Sequence, residues 1–178
     1  MKAKQIIEAI LLAYENSISN NDIRKVVDEN LDDNQIISII DELNNDYQVN
    51  HKGIYIDYIN NGYQMRTHPE YHHYIESIQN KNNEYKLTKP ALEVLSIIAF
   101  KQPISKLDIE SIRGIDSVGV MKTLLDKDLI MIKGKEDKIG RALIYGTTSL
   151  FLETFGLNKI TDLPQITQIK EILNHEIK

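Results

Sequence analysis

The sequence predicts an α+β fold, mostly helical, in which one small domain is used twice. The first observation behind this is an internal repeat: LLAYENSISNNDI at residues 11–23 and IIAFKQPISKLDI at residues 97–109 align at a constant offset of 86. Leu11, Leu12, Ala13 and Tyr14 match Ile97, Ile98, Ala99 and Phe100. Ile18-Ser19 and Asp22-Ile23 match Ile104-Ser105 and Asp108-Ile109. That period exceeds a solenoid unit, which runs about 20–50 residues, so the repeat marks a duplicated domain. The second observation is that each copy passes from apolar residues at helical spacing into segments alternating with period two. The third is size: 178 residues, 42% of them apolar, suffice for two small cores.

In the first copy, Ile6, Ile7, Ile10, Leu11 and Tyr14 define a helix over about residues 4–15. Ser19 followed by Asp22 starts a second helix, because the hydroxyl accepts from free amides and a carboxylate suits the first turn. That helix carries Ile23, Val26 and Val27. A third begins near Asp32–Asp33 and buries Ile36, Ile37, Ile40 and Leu43. YQVN, IYIDYI and YQMRT then alternate as strands, separated by turns at His51-Lys52-Gly53 and Asn60-Asn61-Gly62. Three helices followed by a hairpin or small meander form the winged-helix pattern. Pro69 opens a further helix through about Gln79.

The second copy repeats the order. Thr88 and Pro90 start a helix that Pro103 ends, Ser105 and Asp108 cap the next, and Gly114 closes it. Asp116 or Ser117 opens a third helix with Val120, Met121, Leu124 and Leu125 inward. LIMIKG and RALIYGT are strands around a charged turn, and SLFLETF is a short helix ending at Gly156. The expected organisation is therefore two tandem winged-helix domains, residues 1–80 and 88–157, joined by a polar linker at 81–87. A tail at 158–178 follows, with Ile166, Ile169, Ile172, Leu173 and Ile177 spaced for an amphipathic helix. That helix either packs on its own domain or docks in a partner groove.

Composition narrows the function. Cysteine is absent, which excludes disulfides and thiolate metal sites and fits a cytoplasmic location. No apolar run reaches the ~18 residues of a membrane span, and Glu8 interrupts what would otherwise resemble a signal sequence. Residues 1–80 hold 6 Lys and Arg against 13 Asp and Glu, while residues 81–157 hold 12 against 10. Neither half has the basic balance of a dedicated nucleic-acid binder.

No constellation of catalytic residues stands out. Nucleophile elbows, P-loops and dinucleotide fingerprints are missing, and no cofactor is expected. His68, His72 and Glu76 are spaced by four, but His68 precedes Pro69 and falls off the helical face a metal site would need. The first copy's third helix offers Asp33, Asn34, Asp41 and Glu42, which would meet DNA phosphates with like charge. The second copy's offers Lys122 and Lys127 against Asp116, Asp126 and Asp128. Lys133, Lys135, Lys138 and Arg141 cluster on the second wing, either as a solvated turn or as a weak phosphate contact. Contact surfaces remain. The apolar residues of the first helix (Ile6, Ile7, Ile10, Leu11 and Tyr14) exceed what one small core needs. Together with Tyr47, Tyr55, Tyr58, Tyr63, Tyr71 and Tyr74, they point to a homodimer through the first domain.

Residues 91–114 (ALEVLSIIAFKQPISKLDIESIRG), 116–130 (DSVGVMKTLLDKDLI) and 140–157 (GRALIYGTTSLFLETFGL), with LPQI at 163–166, resemble the bacterial segregation and condensation protein B family. Phe100 stands where that family usually has Tyr, and Ala142 where it usually has Pro. The resemblance implies a non-enzymatic accessory subunit of the SMC complex that homodimerises through its first domain. Such a subunit binds the kleisin ScpA and, through it, the SMC ATPase, at the nucleoid. Carried over, the motif positions for partner contact are Arg113, Gly114, Arg141, Tyr145, Thr147 and Thr148. Arg113 and Arg141 are expected as anchors if they lack internal partners. The alternative is a winged-helix DNA-binding transcriptional regulator.

Overall fold

The computed structural model describes residues 2–79, 87–137 and 140–164. The predicted tail helix, nearly all of the linker, and Lys138 lie outside them. The first helix, α1 (Lys2–Ala13), starts and stops two residues earlier than its apolar pattern predicts. It buries Ile7 and Leu11.

The repeated ISxxDI motif builds the same corner in both halves. Ile18 exchanges two backbone hydrogen bonds with Tyr63 (both 2.9 Å), and Ile104 pairs with Tyr145. The next serine then caps a helix. Ser19 accepts from the Asp22 amide at the head of α2 (Asn20–Val27). Ser105 accepts from the Asp108 amide at the head of α6 (Lys106–Arg113). Each serine hydroxyl in turn donates 2.6 Å to the aspartate carboxylate, and the closing isoleucines, Ile23 and Ile109, lie in the two cores. A strand bridge, a cap and a core anchor thus fit into six residues.

Helix α3 (Asp33–Val49) begins with a reciprocal capping box between Asp32 and Gln35. It runs through YQVN, which the alternating pattern reads as a strand. Tyr47 continues the face of Ile36, Ile40 and Leu43, is buried with them, and donates 2.8 Å to Glu8 Oε1. Helical packing against α1 prevails there over local strand preference. Strands β1 (Ile54–Ile59) and β2 (Gly62–Thr67) form an antiparallel hairpin. A Cβ at Gly62 would sit 2.7 Å from the Ile18 carbonyl oxygen, so only glycine lets the bridge close. The helix expected from Pro69 to Gln79 is a 3-10 turn, Pro69–Tyr71, leading into α4 (His72–Gln79).

The second half runs α5 (Lys89–Lys101), β3 (Ile104–Ser105), α6, α7 (Val118–Asp126), β4 (Ile130–Lys135), β5 (Leu143–Thr147) and α8 (Ser149–Phe155). The sheet order is β3-β5-β4, antiparallel throughout. The two-residue β3 is absent from the sequence prediction. Each half has its own hydrophobic cluster. Ile7, Leu11, Ile23, Ile36, Ile40 and Leu43 centre the first, and Val94, Leu95, Ile98, Ile109, Leu124 and Phe151 the second. The architecture is mixed α+β and mostly helical.

Candidate partner interface

The residues nominated for partner contact divide sharply by position. Arg113 is not the unpartnered arginine that the sequence reading assumes. Its side chain is 4% exposed and forms a fork with Glu93 Oε2 on α5 (3.1 and 3.0 Å). It also donates 2.7 Å to Ser117 Oγ at the start of α7. The guanidinium therefore ties three helices together. Gly114 is the C-cap of α6 at φ 72°, a left-handed conformation that costs other residues strain.

Thr147 is also internal. Its amide and hydroxyl meet the Gln102 side-chain amide, with Thr147 N to Oε1 at 2.8 Å and Nε2 to Oγ1 at 2.9 Å. This double clasp joins the end of α5 to β5 and has no signal in the repeat. Thr148 caps α8 and donates 2.6 Å to the Asp128 carbonyl. Tyr145 is half-buried against the second core. Arg141 alone of the nominated side chains is exposed, and it makes no ion pair or hydrogen bond among the described residues. On β4 and β5, Met131, Ile132 and Leu143 are exposed. Ala142 accepts from the Glu136 amide at 2.8 Å through its carbonyl, an acceptor that proline would also supply, so the departure costs no such hydrogen bond between β4 and β5.

The residues expected at the dimer surface also divide by burial. Ile7 and Leu11 are core residues, while Ile6 and Ile10 are half-buried. The free apolar surface of this region is Leu12, 71% exposed and not among the nominated residues, and Tyr14, 60% exposed. The tyrosines likewise split. Tyr47 and Tyr63 are buried, Tyr58 stacks edge-on against Tyr63 at 5.2 Å, and Tyr74 is exposed. Burial pushes the Tyr63 hydroxyl above its ordinary pKa. Burial, then the Glu8 hydrogen bond, do the same more strongly for Tyr47. Tyr55, Tyr71 and His68 line an open groove of about 590 Å³ with Asn44 and Tyr47. Asn44 also takes both backbone groups of Ile56 on the outer edge of β1 (2.7 and 2.9 Å), which blocks that edge from further strand pairing. A polar residue beside Leu43 on the buried side of α3 was its only sequence signal.

The surface of α3 is acidic and partly neutralised from within. Arg24 and, after it, Asn20 hold the Asp33 carboxyl below the usual carboxylate value, and Lys4 pairs with both Glu42 and Asp46. His68 and His72 contact Glu70 and Glu76, respectively, and no group of three possible ligands converges among the described residues. No described helix is long and apolar enough to cross a membrane.

A model of the family described as segregation and condensation complex subunit ScpB matches residues 5–166. The chain belongs to this family. Segregation and condensation protein B of Alkaliphilus metalliredigens (strain QYMF) is 36% identical over 184 residues, spanning 98% of this chain and 96% of its own. That of Clostridioides difficile (strain 630) is 35% identical over 173 residues, spanning 97% of each. The crystal structure of ScpB from Mycobacterium tuberculosis aligns with 87% of this chain and 95% of its own, at 26% identity and a TM-score of 0.42. The match to the ScpB family spans both halves, so it covers the acidic first half, where sequence motifs are weak, as well as the second.

Proposed function

We infer that this chain is a non-enzymatic accessory subunit of a bacterial SMC–kleisin complex, acting in chromosome condensation and segregation. The observation that carries the reading is the family match over residues 5–166. In this reading each half is a winged-helix domain, 1–80 and 88–157 with a linker at 81–87, and the protein works in the cytoplasm at the nucleoid. The repeated order of helix, strand bridge, two helices and hairpin supports that division. The chain homodimerises through the first domain, where Leu12 and Tyr14 supply the free apolar surface. The second domain binds the kleisin ScpA, and through it SMC, using Arg141 and the exposed apolar side chains of β4 and β5. DNA contact is weak or indirect, because the acids of α3 oppose phosphate.

Co-purification with the kleisin tests the reading, with DNA binding measured beside it across salt concentrations. A stable complex with the kleisin and negligible DNA affinity at physiological salt is the expected result. No complex, together with tight sequence-selective DNA binding, would instead establish a winged-helix regulator.

A further inference from the structure

Glu153 occupies an unfavourable place for a carboxylate. It lies in the last turn of α8, where the helix dipole disfavours negative charge. It is also only 7% exposed, and among the described residues it forms no ion pair. A buried carboxylate persists where donors replace its lost water. Among the described residues, every donor to this carboxylate comes from the other half of the molecule. Ser17 Oγ donates at 2.7 Å, the Ser17 amide at 3.3 Å and Asn60 Nδ2 at 3.0 Å, all to Oε1.

The surrounding contacts follow the same direction. Asn60 and Asn61 hold φ of 53° and 58° in the tight turn between β1 and β2, a left-handed pair that aims their amides away from the hairpin. The Asn60 amide donates 3.1 Å to the Leu157 carbonyl just past α8, and the Asn61 amide 3.4 Å to Asn158 Oδ1. Arg66 Nη1 reaches the Glu153 carbonyl at 3.4 Å. The hairpin turn of the first half thus meets the end of α8 in the second.

We propose that Glu153 is an orientation pin: its carboxylate, gripped by Ser17 and Asn60, fixes the angle between the two halves. This role is independent of which partner the protein binds. Separating the halves would leave α8 packed through Phe151 but would return Glu153 to water and free the turn amides. The pin therefore sets the relative direction of the two contact surfaces without contributing to either core.

Because the chain has no cysteine, Asn45→Cys on α3 and Lys122→Cys on α7 give a unique pair of exposed sites for spin labels. Pulsed electron resonance, on labelled chain diluted with unlabelled chain, should give one narrow distance. Glu153→Ala should lose that narrow peak and broaden it, and Glu153→Gln, which keeps one acceptor oxygen, should broaden it less. If Glu153→Ala unfolds the second half by circular dichroism, the Ser17→Ala/Asn60→Ala variant removes the same grip from the other side and must broaden the distance. A broad distribution in the parent would overturn the proposal, as would a peak that vanishes on dilution or a narrow peak retained in the folded variants.

Discussion

Arg113 and Arg141 look alike as sequence positions, each beside a glycine in a family motif, yet their surroundings assign them opposite work. Arg113 is a strut. Arg113→Ala breaks a fork to Glu93 and a hydrogen bond to Ser117, and it should lower stability by about 1–3 kcal/mol. Arg113→Lys should recover little, since a lysine cannot make the fork. Denaturant unfolding measures both. Arg141→Ala should leave the unfolding midpoint unchanged while weakening kleisin capture, read by calorimetric titration; unaltered affinity would remove Arg141 from the proposed contact. Gly62 is a second residue-scale case. Gly62→Ala puts a methyl 2.7 Å from the Ile18 carbonyl and should cost about 1–3 kcal/mol through overpacking, again by denaturant unfolding.

At the scale of elements, the two ISxxDI corners are matched experiments within one chain. Ser19→Ala and Ser105→Ala each remove a cap, and each should cost about 1 kcal/mol. The Asp22 carboxyl is held below its ordinary value by the Ser19 hydroxyl first and Lys25 second; Arg24 and then Asn20 do the same for Asp33. The folded state therefore binds these protons less readily than the unfolded chain. The resulting stability is fully present above the unfolded value of 3.8 and is lost as pH falls from there through the lowered folded values. Melting temperatures should fall as acid is added below pH ~4, and Arg24→Met should flatten the Asp33 share of that dependence.

On the scale of the whole molecule, the core and the association surface of α1 can be separated. Leu12→Glu/Tyr14→Glu should convert the proposed dimer to a folded monomer by light scattering, because both side chains face solvent. Ile7→Ala should instead destabilise the first half by about 2–5 kcal/mol. A dimer that survives the Leu12 and Tyr14 changes would place the interface elsewhere.

The chain's repeat, its caps and the apolar faces of its helices are all readable in sequence, because each depends on neighbours within about one helical turn. The serine caps at 19 and 105 and the glycine ends at 114 and 156 are of this kind. So is the resemblance that places the chain in its family. The two-residue β3 was not readable, since two residues have no period, and YQVN was misread because its burial depends on α1. The surface depended wholly on the tertiary structure. That Arg113 is spoken for by Glu93, 20 positions away, and that Glu153 is gripped by Ser17 and Asn60, 136 and 93 positions away, are set by side chains far apart in the chain. Local chemistry in the sequence determined the elements and their order; the spatial approach of distant groups decided which side chains were left over to meet a partner.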